Sequence, residues 1–172
     1  MAEDYVDEIL RQWSRERPDL DVSPMGVIGR LSRLTRHLER AIEETFQSHG
    51  LGAGGFDVLA ALRRSGKPYR LSPTELYNSL LISSGAMTNR IDRLEEQGHV
   101  VRAPDAHDRR SISVALTPKG KKTIDDAVRE HTEREHNLLA SLSSQEQKQL
   151  AGLLRELLLQ YDGQGVREKA PS

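Results

Sequence analysis

The feature that most constrains this chain is a change of period at Gly98. Before it, two short helical segments follow each other closely. Ser72-Pro73-Thr74-Glu75 combines an N-cap, a first-turn proline and a capping-box glutamate, and starts a helix through Leu80. A brief turn at Leu81-Ile82-Ser83 leads into a second helix over Ser84–Gln97. After Gly98 the pattern becomes that of strands, His99-Val100-Val101-Arg102 and Ser111-Ile112-Ser113-Val114-Ala115-Leu116. The loop between them is polar and carries Asp108-Arg109-Arg110. Two helices and then a hairpin predict a helix-turn-helix with a wing.

Helices surround this unit. Val6, Ile9, Leu10 and Trp13 share one face of a short leading helix that Pro18 stops. Ser23-Pro24 reads as the N-cap and first turn of a long helix with Val27, Ile28, Leu31, Leu34, Leu38, Ile42 and Phe46 on one stripe, ending near Gly50. A third runs from about Gly54 to Ser65. Thr117-Pro118 opens a helix to about Leu142, and Ser143-Ser144-Gln145-Glu146 caps a last one with Leu150, Leu153, Leu154, Leu157, Leu158 and Tyr161 on one side. The fold class expected is mainly α with a small β-wing, in one chain. Residues 54–116 form the winged unit, 4–50 and 117–161 a helical dimerisation region, and 162–172 a flexible tail. Burying a leucine side chain is worth about 1.5–3 kcal/mol, so stripes this wide call for a partner, and an intertwined homodimer is the expected one. Packing of the stripes on each other within one chain is the plainer alternative.

Composition removes whole classes of function. The absence of cysteine excludes disulfides and thiolate metal sites. The six histidines are scattered, without HExxH or His-x-His spacing, and no glycine-rich phosphate loop is present. Neither a catalytic residue, a metal site nor a cofactor is expected. No apolar run approaches the ~20 residues that span a bilayer, and the acidic start does not resemble a signal peptide, so a cytoplasmic protein is expected. Charge is segregated. Ala60–Lys122 holds twelve Lys and Arg against six Asp and Glu, in a chain of formal net charge −1. A basic middle between acidic flanks suits a polyanion.

The second helix of the pair indicates how. With Met87 as origin, Met87, Ile91 and Leu94 cluster on the wheel and pack inward, while Gly85, Thr88, Asn89 and Asp92 lie opposite. Small and hydrogen-bonding side chains on an outer face suit the major groove of double-stranded DNA. Arg109 and Arg110 at the loop tip can enter a minor groove or clamp phosphates, and Asp108 can hold the Arg110 guanidinium in a fixed direction. A dimerisation module without a nucleic-acid partner remains open on the leucine stripes alone.

The stretch Gly85–Leu116, with Asp-x-Arg-Ser at Asp108–Ser111 followed by Leu116-Thr117-Pro118, resembles the MarR family of bacterial regulators, and the likeness spans about Ser23 to Tyr161. It implies a triangular homodimer with interlocked terminal helices, which presents two winged modules to a pseudo-palindromic operator, most often as a repressor. By this resemblance Ser84, Thr88, Asn89 and Arg93 are groove candidates and Arg110 the wing candidate. The leading helix with Trp13, together with Phe56–Arg64, resembles the urate-responsive, PecS-like branch. Its ligand site maps onto Trp13, Asp57, Arg64 and Arg90, and it implies release of DNA on binding a small anionic aromatic ligand such as urate. A phenolic compound is the alternative effector.

The chemistry is consistent. Asp57 and Arg64 are about two turns apart on one helical face. Arg90 sits beside the buried face of its helix, better placed to reach under it than into a groove. Trp13 offers a flat surface and an indole N–H. Each also has a plainer explanation: core packing for Trp13, a surface ion pair for Asp57 and Arg64, a phosphate contact for Arg90.

Overall fold

The computed structural model describes residues 3–80, 84–104 and 112–165. The elements run α1 (Tyr5–Glu16), α2 (Ser23–Ser48), α3 (Ala53–Arg64), β1 (Arg70–Leu71), α4 (Pro73–Leu80), α5 (Ser84–Glu96), β2 (Val100–Pro104), β3 (Ile112–Leu116), α6 (Pro118–Leu138) and α7 (Ser144–Gly165). They divide into two compact units, residues 1–134 and 135–172.

The first unit holds the winged module, mainly helical with a small sheet, as the sequence led us to expect. Its core is built from Val58, Leu59 and Leu62 of α3, Leu76 of α4, Met87, Ile91 and Leu94 of α5, Val100 and Val114 of the sheet, and Ile124 and Ala127 of α6. Phe46 at the end of α2 stacks on Phe56 of α3 with ring centroids 4.0 Å apart. That contact ties the long helix to the start of the winged module.

The sheet differs from expectation in one respect. It has three antiparallel strands in the order β1-β3-β2, not a two-stranded hairpin. Arg70 pairs with Ala115 and Leu71 with Val114. Two residues between a proline loop and a helix cap show no alternation, so the sequence pattern could not reveal the strand.

The caps explain several boundaries. Ser72 and Glu75 form the expected box: the Ser72 backbone N–H and hydroxyl donate to the Glu75 carboxylate, and the Glu75 N–H donates to the Ser72 hydroxyl. Because this box starts the first helix of the pair, Ser72→Ala is expected to cost about 1 kcal/mol, read as a lower denaturation midpoint. Ser23, by contrast, is not a cap. The helix boundary falls at Val22, which makes no side-chain cap bond, and the Asp21 carboxylate accepts from the Ser23 N–H instead. The leading helix is capped by Asp4, whose carboxylate accepts from Val6 and Asp7.

Helix α6, most of which belongs to the first unit, stops at Leu138, short of the expected Leu142. Ser143 and Glu146 make a second capping box for α7, and the intervening residues turn to feed it. Helix α7 then continues to Gly165, so 162–165, expected within a tail, are helical. Its Leu153, Leu157, Leu158 and Leu159 are largely exposed in the single chain. Among the described residues, no helix is long and apolar enough to cross a membrane.

Candidate nucleic-acid interface and ligand site

Helix α5 faces as its sequence predicts. Met87, Ile91 and Leu94 are each only 2% exposed, which fixes the rotation of the helix. That rotation leaves Gly85, Thr88 and Asn89 exposed on the outer side, whereas Asp92, expected beside them, is half-buried and Arg93 is exposed at the flank on the side of Arg90. Ser84 begins the helix. Asp108, Arg109 and Arg110 lie outside the described residues.

Helix α5 ends at Glu96, and the chain turns at Gly98, whose positive φ of 73° is the left-handed conformation that glycine accepts most readily. The His99 N–H then donates to Leu94, and the His99 carbonyl accepts from both the Thr117 N–H and hydroxyl. The recognition helix, the wing strand and α6 therefore meet at one carbonyl group.

A second tie was not visible in the sequence. Arg102 of β2 reaches back across the turn, its guanidinium donating to Asp92 and Glu95 of α5, while its backbone N–H donates to Glu95 at 3.0 Å. The Arg102 N–H is the main reason that the Glu95 carboxyl is held below the usual carboxylate range. Arg102 does two things here. It fixes the wing strand to the recognition helix, and it compensates two carboxylates beside a face expected to meet phosphates. Arg102→Gln is expected to weaken operator binding about tenfold, and Asp92→Asn with Glu95→Gln in the same chain should recover part of the loss. Gel retardation of the single and triple variants checks this. Nothing in residue spacing announces the tie, because it depends on how the chain turns at Gly98.

Beneath α5 lies a second group of charges. Arg90 passes under its helix onto the first turn of α3, where the lack of a side chain at Gly54 makes room: a Cβ there would fall 2.5 Å from Arg90 Nε. Its Nη1 sits 3.8 Å from Asp57 Oδ2, an ion pair but not a hydrogen bond. Among the described residues, this buried nitrogen has no hydrogen-bond acceptor. Burial raises the Asp57 carboxyl above its ordinary value, and the opposing pull of Arg90 and then Arg64 does not cancel it. Next to this pair, Gly50, Leu51, Gly52, Gly55, Arg93 and Leu94 help Arg90 line a cavity of about 320 Å³. Asp57 and Arg90 are thus brought together, whereas Arg64, exposed two turns along α3, acts on Asp57 only through its charge, and neither Asp57 nor Arg64 lines the cavity. Trp13 is not among them: it lies 42% exposed on α1, which packs against α2.

Comparison with known proteins identifies the fold and the family. Residues 49–111 match the family model described as MarR family. The chain is 45% identical to the HTH-type transcriptional regulator PecS of Dickeya dadantii over 87% of its length and 90% of that protein. Among solved structures, it is similar to a mutant of Escherichia coli MarR complexed with operator DNA, at 25% identity and a TM-score of 0.67, covering 91% of this chain and 99% of that one. It is also similar to Bordetella bronchiseptica BpsR, whose DNA binding is regulated by 6-hydroxynicotinic acid. The identity is 25% and the TM-score 0.66, over 76% of this chain and 91% of that one. These relatives regulate transcription and are not enzymes. The chain belongs to the MarR family of DNA-binding transcriptional regulators, and its likeness within that family is to PecS.

Proposed function

We propose that this regulator is a homodimeric, cytoplasmic repressor that binds a pseudo-palindromic operator and releases it on binding a small anionic aromatic ligand of the urate type. Thr88 and Asn89, with Ser84 and Arg93, read the major groove, and Arg109 and Arg110, steadied by Asp108, hold the duplex beside it. Two such heads related by a twofold axis match two half-sites about one helical turn apart. The ligand is bound by Asp57, Arg64, Arg90 and Trp13.

The observation that carries the ligand reading is the state of Arg90. Among the described residues its buried Nη1 lacks an acceptor, next to a cavity and a carboxyl already pushed up by burial. Such a guanidinium gains most from an anion that brings its own acceptors. Because Arg90 belongs to the recognition helix, a ligand that draws it inward also shifts Thr88 and Asn89 relative to the second head. The aromatic acid acting on BpsR, a structural relative, belongs to the same chemical class.

Gel retardation on a fragment from upstream of the protein's own gene, with and without urate, tests both halves of the reading. A salt-sensitive complex is expected, with urate dissolving it in the wild type and failing to do so in Arg90→Gln. Release that persists unchanged in Arg90→Gln would remove the ligand mechanism. Release by a phenolic acid but not urate would identify the alternative effector.

A further inference from the structure

Helices α1 and α2 form a groove of their own, away from both the DNA face and the Arg90 cavity. Close contacts fix how the two helices lie. A Cβ on Gly29 would touch Val6 at 3.4 Å, and a Cβ on Gly26 would touch Leu10 at 3.3 Å. The Arg33 guanidinium lies 5.0 Å from the centre of the Tyr5 ring. Moving forward along α1 from Tyr5 to Leu10 therefore means moving backward along α2 from Arg33 to Gly26. The two helices are antiparallel.

Beside this seam the groove has a volume of about 640 Å³, and its two ends differ. One end is apolar, with Ile9, Met25 and Ile28 on its walls; Met25 and Ile28 are 43% and 61% exposed. The other end carries Ser32, Arg33 and Arg36. Charge is unbalanced there. On α1, Glu3 and Glu8 hold Arg11, while Asp4 and Asp7 hold Arg30 of α2. Farther along α2, Arg40 pairs with Glu44. Among the described residues, Arg33 and Arg36 have no carboxylate partner. The first guanidinium rests on the Tyr5 ring, and the Arg36 Nε donates to the Ser32 carbonyl at 3.3 Å.

We propose that this groove binds a single-chain carboxylic acid, its tail along Ile9, Met25 and Ile28 and its carboxylate at Arg33 and Arg36. The run from Met25 to Ser32 is about 10 Å at about 1.5 Å per helical residue, the length of an extended tail of roughly nine carbons. The fork of N–H donors on arginine matches a carboxylate, and the apolar walls take the tail. Each methylene that leaves water is worth about fourfold in affinity.

A second copy of the chain fits the groove less well. At about 100° per residue, Met25, Ser32 and Arg36 lie on the far side of α2 from Leu31, Leu34 and Leu38. A twofold contact through those leucines need not cover the groove. An apolar protein surface laid into it would also strip water from two guanidinium groups without giving them acceptors. A molecule with one charge and one tail satisfies both ends. Bound there, it touches both helices and holds α1 against α2, and neither Asp57 nor Arg90 lines its groove.

Decanoate is the probe, titrated below its micelle concentration into the full-length protein and followed by calorimetry. One molecule per chain is expected. Hexanoate, with a shorter tail, should bind at least tenfold more weakly, and so should decanol, which keeps the tail and loses the charge. Arg33→Gln with Arg36→Gln should weaken decanoate binding at least tenfold, and lysine at both positions should recover part of it. Ile28→Asp, on an exposed position, should weaken it as much without lowering the unfolding midpoint. Saturating urate should leave decanoate affinity within twofold. Affinity unchanged by the double glutamine variant, or equal affinity for decanol, overturns the proposal. Displacement by urate overturns it too and assigns the acid to the Arg90 cavity. So does the absence of decanoate binding; if Ile28→Asp then splits the dimer, a second copy is the occupant.

Discussion

Gly120→Ala is expected to destabilise the winged unit by about 3 kcal/mol, at the upper end of what an inserted methyl group costs. The first turn of α6 approaches so closely that a Cβ on Gly120 would lie 1.9 Å from the His99 carbonyl oxygen and 2.8 Å from its carbon. Both obstacles are backbone, so no rotamer change can make room. Nor can His99 retreat alone, since its carbonyl is held by Thr117 and its N–H by Leu94. The methyl group must push α6 away from the junction of α5 and β2. Thermal unfolding should register a fall in Tm of roughly 10 °C. Gly152→Ala in α7 is the matching control: nothing lies within 4 Å of the added Cβ, and the change should stabilise modestly by helix propensity. Equal stability of the two variants would show that α6 yields freely at Gly120.

Asn89→Asp is the second large effect, expected on DNA binding and not on stability. The substitution is nearly isosteric on an exposed position of α5, so the unfolding midpoint should stay within about 0.5 kcal/mol of the wild type. On the proposed reading surface, an amide able to donate and accept toward base edges would become a carboxylate that can only accept, facing a polyanion. Loss of a good base contact is worth about 1–3 kcal/mol, before repulsion is added. Operator affinity should drop tenfold to a hundredfold. Fluorescence anisotropy with a labelled operator fragment measures it, and affinity within twofold of the wild type would exclude Asn89 from the reading surface.

Much of the architecture was legible because its signals are local. The Ser72–Glu75 and Ser143–Glu146 boxes satisfy backbone groups within one turn, so four adjacent residues suffice to recognise them. The rotation of α5 follows from Met87, Ile91 and Leu94 on one side of the wheel, and their burial confirms it. What stayed hidden depends on distant parts of the chain. Strand β1 exists only because β3 offers it an edge. The Arg102 tie depends on the direction in which β2 leaves Gly98. Trp13 matched a family pattern by its place in the sequence, yet its place in space depends on the sense in which α1 lies along α2. Helical periodicity does not carry that sense. Gly26 and Gly29, the notch that receives Leu10 and Val6, were its only trace.

The charge pairing at Arg102 has a practical consequence for redesign. A recognition helix moved from this protein into another winged scaffold takes Asp92 and Glu95 with it but leaves their cation behind on the neighbouring strand. The graft would present two uncompensated carboxylates at the edge of the duplex. Swapping specificity by exchanging helices therefore calls for Arg102 to travel with the helix, or for both acids to be neutralised first.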